Sequence, residues 1–98
     1  MNILITGASR GLGRRLALAF GRAGHSVAVN YRSRRDEAES VVNEIRALGG
    51  TAEPFMADVS DPRQAQVLVD GVVQAWGRLE GLVNNAGVTS AGSFEAEP

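Results

Sequence analysis

Four short apolar runs, separated by three stretches of helical periodicity, most restrict the folds open to this chain. The runs are Asn2–Thr6 (NILIT), Ser26–Tyr31 (SVAVNY), Thr51–Asp58 (TAEPFMAD) and Leu79–Asn84 (LEGLVN). Their length and β-branched content predict strands. Between them, apolar residues recur at helical spacing: Leu12, Leu16, Ala19, Phe20 and Ala23, stopped at Gly24, then Ala38, Val41, Val42, Ile45 and Leu48, closed by Gly49-Gly50. The third set is Ala65, Leu68, Val69, Val72, Val73 and Trp76, with Ser60 or Asp61 as cap, Pro62 in the first turn and Gly77 as stop. Pro54 cannot donate to a ladder, so the third run is expected at a sheet edge or to start late, at Phe55. Strands alternating with helices predict right-handed crossovers and a parallel sheet in a single α/β unit over residues 1–98.

Composition narrows the chemistry. A formal net charge of −1 gives no basic field for nucleic acid. No apolar run approaches the roughly 20 residues that span a bilayer, and MNILITGASRG is not a secretory signal, so a cytoplasmic protein is expected. With no cysteine there is no disulfide, thiolate metal site or thiol nucleophile, and no metal site is expected. All ten basic residues are arginine, and Tyr31 and His25 are the only residues of their kinds. A Schiff-base lysine, a P-loop lysine and a Tyr/Lys catalytic pair are therefore all excluded from this chain alone.

The first run leads directly into Thr6-Gly7-Ala8-Ser9-Arg10-Gly11-Leu12-Gly13 and then a helix. A glycine-rich turn in that setting is the context that gives such a motif meaning. Gly7 allows a sharp turn, Gly11 lets backbone approach a diphosphate, and Gly13 lets the helix pack close. The helix N-terminus and the Ser9 hydroxyl add donors for an anion. Dinucleotide binding is the expectation.

NAD-binding versions of this unit carry an acid at the end of the second strand, about 20 residues past the glycines. Here the stretch reads Asn30-Tyr31-Arg32-Ser33-Arg34-Arg35, with no carboxylate before Asp36. A 2′-phosphate suits a forked guanidinium. Arg32 with Arg10 forms the expected clamp, Ser33 adds a hydroxyl, and NADP is favoured over NAD. As a bare charge run the arginines would be a solvated helix start, but cations oppose the dipole there and a bound anion would offset that. Arg34 and Arg35 are assigned no role.

With Thr6-Gly7-x-x-x-Gly11-x-Gly13, Asn30-Tyr31-Arg32-Ser33, Asp58-Val59 and Asn84-Asn85-Ala86-Gly87 in hand, the chain resembles the short-chain dehydrogenase/reductase family over essentially its whole length, with a texture similar to its 3-oxoacyl-carrier-protein reductases. The resemblance implies a Rossmann-type doubly wound sheet of order 3-2-1-4, truncated after the fourth strand. It implies that Asp58 meets the adenine amino group with Val59 beside the ring, and that Asn84, Asn85, Ala86 and Gly87 lie along the ribose. Read bare, Asp58 precedes a helix and Asn-Asn-Ala-Gly is a turn. Gly7, Ser9, Arg10, Gly11, Leu12, Gly13, Asn30, Tyr31, Arg32 and Ser33 complete the cofactor-binding set.

The family's catalytic serine, its Tyr-x-x-x-Lys pair and its helix asparagine match nothing here, so no catalytic residue is assigned. Tyr31 falls at the adenosine end, His25 lies between the first helix and second strand, and Trp76 reads as packing. Three readings stay open: the cofactor-binding half of a carbonyl reductase that forms homo-oligomers when whole, a freestanding NADP(H)-binding module, or a remnant. The ending Phe94-Glu95-Ala96-Glu97-Pro98 resembles the approach to another helix and favours the first, with the chain alone expected to be inactive and the fourth strand at an uncovered edge.

Overall fold

The computed structural model describes residues 1–85; Ala86, Gly87 and the ending at Phe94–Pro98 lie outside the described residues. The element order is β1 (Asn2–Ile5), α1 (Gly11–Arg22), β2 (Ser26–Tyr31), α2 (Arg35–Ala47), β3 (Ala52–Met56), α3 (Pro62–Trp76) and β4 (Gly81–Val83). The four strands form one sheet in the order β3-β2-β1-β4. All pairings are parallel: Ile3 lies opposite Val27 and Gly81, and Val29 lies opposite Pro54. The strand order and direction are those expected from the sequence. Pro54 sits on the edge strand β3, where its missing N–H faces no partner strand.

Both outer strands are shorter than predicted. β3 ends at Met56, because Asp58 already belongs to the turn into α3, its N–H donating to Gln64 Oε1 at 2.8 Å. Asp61, one of the two expected caps, accepts the Arg63 N–H at 3.0 Å, with Pro62 opening the helix. β4 keeps three residues. The stretch before it is tied down by Asn2, whose N–H donates to Glu80 Oε1 at 2.7 Å and whose Nδ2 donates to the Arg78 carbonyl at 2.9 Å.

The helices load the two sheet faces unequally. One face packs Ile3, Ile5, Val27, Val29 and Tyr31 against Ala17, Leu18, Ala38, Val41, Val42 and Ile45 of α1 and α2. The other packs Leu4, Ala28 and Ala57 against Leu68 and Val72 of α3, flanked by Phe55 and Trp76, whose rings meet edge-on at 6.1 Å.

The predicted helix faces need correction at several positions. In α1 the buried residues are Gly13, Ala17, Leu18 and Gly21, whereas Ala19 and Ala23 are exposed and Leu12 is 61% exposed. Leu16 and Phe20 only flank the core. The reason is approach distance: a Cβ on Gly21 would stand 2.9 Å from Ile45 Cγ1, so a stripe of small residues, not the bulky ones, meets the neighbours. Leu48 falls beyond the end of α2 and Val73 turns partly outward, leaving both exposed.

Candidate functional site

The parallel sheet brings every β-to-α turn to one end. Chain from β1 runs to β2 through α1, and chain from β3 returns past β1 to β4 through α3. The strand order therefore reverses beside β1, and a crevice at such a reversal is where open α/β sheets take ligands. His25 and the Met1 ammonium, 3.1 Å apart, lie at the opposite end.

The glycine turn, residues 6–10, is held from both sides. From the β4 side, the Thr6 N–H donates to the Val83 carbonyl at 3.0 Å, and Thr6 Oγ1 accepts the Asn85 N–H at 2.9 Å. Thr6 Oγ1 also lies 3.2 Å from Asn84 Oδ1, and Asn85 Nδ2 donates to the Gly7 carbonyl at 3.1 Å. From the β2 side, the Gly7 N–H donates to Asn30 Oδ1 at 3.1 Å and the Ala8 N–H to the Asn30 carbonyl at 2.9 Å. Gly7 and Gly11 have φ of 61° and 62°, a region where a side chain is strained. A Cβ on Gly13 would overlap the Gly7 carbonyl oxygen and stand 2.7 Å from Asn85 Nδ2, whereas one on Gly11 would meet nothing within 4 Å. Gly13 is thus required by packing, and Gly11 borders open space.

α1 begins at Gly11 with Arg10 as its N-cap residue, no side-chain cap bond and no acid in its first turn. Its leading N–H groups are left for solvent or an anion. Beside it lies a recess of about 350 Å³ lined by Gly7, Ser9, Arg10, Tyr31, Arg32, Ser33 and Arg34. The arginines around this recess are not equivalent. Arg34 pairs with Glu37 at 3.3 Å and Arg35 with Glu39 at 2.7 Å, while Arg10 and Arg32 make no ion pair among the described residues.

A second recess of about 220 Å³ lies across Arg32, lined by Gly7, Asn30, Arg32, Ala57, Asp58, Val59 and Ser60. Asp58 Oδ1 accepts the Ser60 hydroxyl at 2.6 Å and the Ser60 N–H at 3.1 Å. Those bonds, and more weakly the charge of Arg32, hold the Asp58 carboxyl below its ordinary range. Asp58 is thus a turn-forming residue that also faces a recess.

Two predicted site residues line these recesses but commit their side-chain polar atoms to protein partners. Tyr31 is 2% exposed, with its ring in the α1/α2 core and its hydroxyl accepting from Arg35 Nη1 at 3.0 Å. Asn30 is equally buried and spends its carboxamide on backbone. The grip of Asn85 on Gly7 was not legible in the sequence, since its partners lie 78 and 79 residues away.

A glycine-rich turn between β1 and α1 in a parallel sheet of order 3-2-1-4 defines a Rossmann-type unit. The short chain dehydrogenase family model matches residues 1–97, and the chain belongs to the short-chain dehydrogenase/reductase family. It is 45% identical over 86 residues to a 3-oxoacyl-[acyl-carrier-protein] reductase FabG of Staphylococcus aureus, covering 88% of this chain and 35% of that relative. It is likewise 45% identical over 92 residues to a short-chain dehydrogenase/reductase of Pestalotiopsis microspora, covering 94% of this chain and 35% of the relative. Among solved structures, a hydroxysteroid dehydrogenase from Escherichia coli superposes with a TM-score of 0.82 at 35% identity, covering 98% of this chain and 40% of that one. The angucycline C-6 ketoreductase LanV, with bound NADP, gives 0.79 at 41% identity over 89% of this chain and 36% of its own. The chain thus spans about a third of the length of the curated relatives it matches. Among the described residues no helix is long and apolar enough to cross a membrane.

Proposed function

We propose that residues 1–98 supply the adenosine and diphosphate half of a nicotinamide dinucleotide site in an oxidoreductase that reduces a carbonyl, of the 3-oxoacyl class. The cofactor is NADP in preference to NAD. The open space at Gly11 and the uncapped start of α1 fit a diphosphate. In this reading Gly7, Ser9, Gly11, Leu12 and Gly13 border the diphosphate, and Arg10, Arg32 and Ser33 hold the 2′-phosphate. Asp58 and Val59 take the adenine, and Asn84 and Asn85, with Ala86 and Gly87, follow the ribose. When bound, the cofactor supplies a hydride. The substrate class follows the FabG relatives, and the NADP-bound ketoreductase neighbour supports the cofactor. A cytoplasmic, homo-oligomeric whole protein belongs to the same proposal.

One observation carries the preference for NADP. Arg10 and Arg32 flank one recess with no ion pair among the described residues, and β2 ends without an acid. In the intact protein, Arg32→Asp is expected to cut the NADPH-to-NADH preference at least about tenfold, because it replaces a charge-assisted bond with a repulsion. An unmoved ratio would refute the clamp. The 98-residue chain alone is expected to consume no NADPH with activated ketones above a Gly13→Asp blank. It has no lysine, and Tyr31 is turned into the core.

A further inference from the structure

Asn30 is a buried polar side chain on β2, and all but one of its side-chain bonds reach away from its own strand. Its Oδ1 accepts the Gly7 N–H at 3.1 Å. Its Nδ2 lies 3.2 Å from both the Phe55 and Ala57 carbonyls and 3.3 Å from the Tyr31 carbonyl. The chemistry allows one orientation only, since an N–H needs the oxygen and three carbonyls need the amide hydrogens. Its backbone carbonyl accepts the Ala8 N–H as well. One residue therefore takes its bearings from the glycine turn on one side and from the end of β3 on the other, where the chain passes into Asp58.

From these bonds we infer that Asn30 is a positioning residue that couples the two recesses, fixing the offset between the glycine turn and the Asp58 turn. The inference rests on the dinucleotide reading above and deepens it. A dinucleotide must satisfy both turns at once, so an error in their offset penalises a ligand that spans them. A ligand confined to the adenine side does not register the offset. Carbonyl oxygens of a regular ladder could not do this: Phe55 and Ala57 belong to the edge strand and its exit, and the carboxamide reaches from them across β2 to β1. The side chain is 2% exposed and forms part of the floor of the Asp58 recess, which places the link beneath the ligand and not in its path.

Asn30→Ser removes the bridge without adding charge near a phosphate. In the intact protein this variant is expected to lose about tenfold in affinity for NADP⁺ while its affinity for adenosine, which carries no phosphate to the glycine turn, changes less than about twofold. Equal losses for both ligands, or no loss for either, would overturn the coupling, since a general loosening of the fold weakens both together. If the variant does not fold, the unaltered protein decides. Saturating adenosine is expected to slow hydrogen exchange at the Ala8 amide, which donates to the Asn30 carbonyl and lines neither recess. Unchanged exchange there overturns the inference. Should the unaltered protein bind neither NADP⁺ nor adenosine, the dinucleotide reading itself falls and takes the coupling with it.

Discussion

The two faces of the sheet are built by different rules. The α1/α2 face is closed by two helices that also touch each other, through Gly21 against Ile45 and an Arg14–Glu44 ion pair at 2.6 Å. Among the described residues it buries 13 in one cluster. Among the same residues the α3 face has one helix and five buried residues, with Leu82 39% and Val73 39% exposed nearby. Dense packing makes the first face intolerant of any volume change, while the second has room to adjust. The glycine turn and Arg10 grow out of the dense face, and the Asp58 recess opens beside the loose one. On the proposed reading, the turn that meets a diphosphate must hold fixed backbone donors, whereas a flat base can be accommodated by a less closely packed pocket.

Truncating one large side chain on each face is the strongest way to break this comparison. Ile45→Ala should cost about 4 kcal/mol, because 0% exposure and contacts from both helices leave a cavity that cannot collapse. Leu68→Ala should cost about 2 kcal/mol, as its surroundings relax and water enters. Urea unfolding of the two variants would read the difference, and equal losses would show that the faces are equally rigid.

The same alanine placed on each face should give opposite signs. Gly21→Ala drives a methyl to 2.9 Å from two Ile45 carbons and should destabilise by about 1–2 kcal/mol. Gly71→Ala, in α3 with nothing within 4 Å of its Cβ, should stabilise by about 0.5–1 kcal/mol through helix propensity. Thermal melts of both variants test this, and a destabilised Gly71→Ala would mean that the α3 face is tighter than described.

The smallest expected effect is on acid stability. Asp58 and Glu80 are held below their ordinary carboxyl range, chiefly by hydrogen bonds from Ser60 and from the Asn2 N–H respectively. A carboxyl whose folded value is depressed stabilises above its unfolded value, and loses that contribution as pH falls through the folded one. Asp58→Asn and Glu80→Gln should each make the acid limb of stability shallower, with solvent screening keeping the change small. A pH series of denaturation midpoints would show it. An unchanged slope in both would mean that these bonds persist in the unfolded chain.

The unequal legibility of the molecule follows from the same contrast. Alternating apolar runs revealed the strands and their parallel direction, and Pro54 marked the edge, because both depend on local chemistry, whereas the strand order came with the family resemblance. The inner face of α1 was misread: periodicity weights bulky residues, but Gly13, Ala17 and Gly21 decide how near a helix can come. The glycine turn was legible as a motif. What fixes it was not, since Asn30 and Asn85 read as ligand contacts or turn residues until their backbone partners were seen. Which arginines stay unpaired was only half legible, because it depends on Glu37 and Glu39 reaching Arg34 and Arg35 within α2.

The bonds from Asn85 to Thr6 and Gly7 also set an order of events. The first turn of the chain is finished by one residue, Asn85, 79 positions beyond Thr6 and 78 beyond Gly7, and β1 receives its second neighbour only when Gly81–Val83 arrives. Pairing of β1, β2 and β3 requires residues only as far as Met56. Contacts of such long sequence separation pay their loop-closure entropy late. During synthesis the loop after β1 therefore waits, with its backbone geometry incomplete, until β4 docks, and on the proposed dinucleotide reading nucleotide affinity should appear only after the sheet has gained that strand.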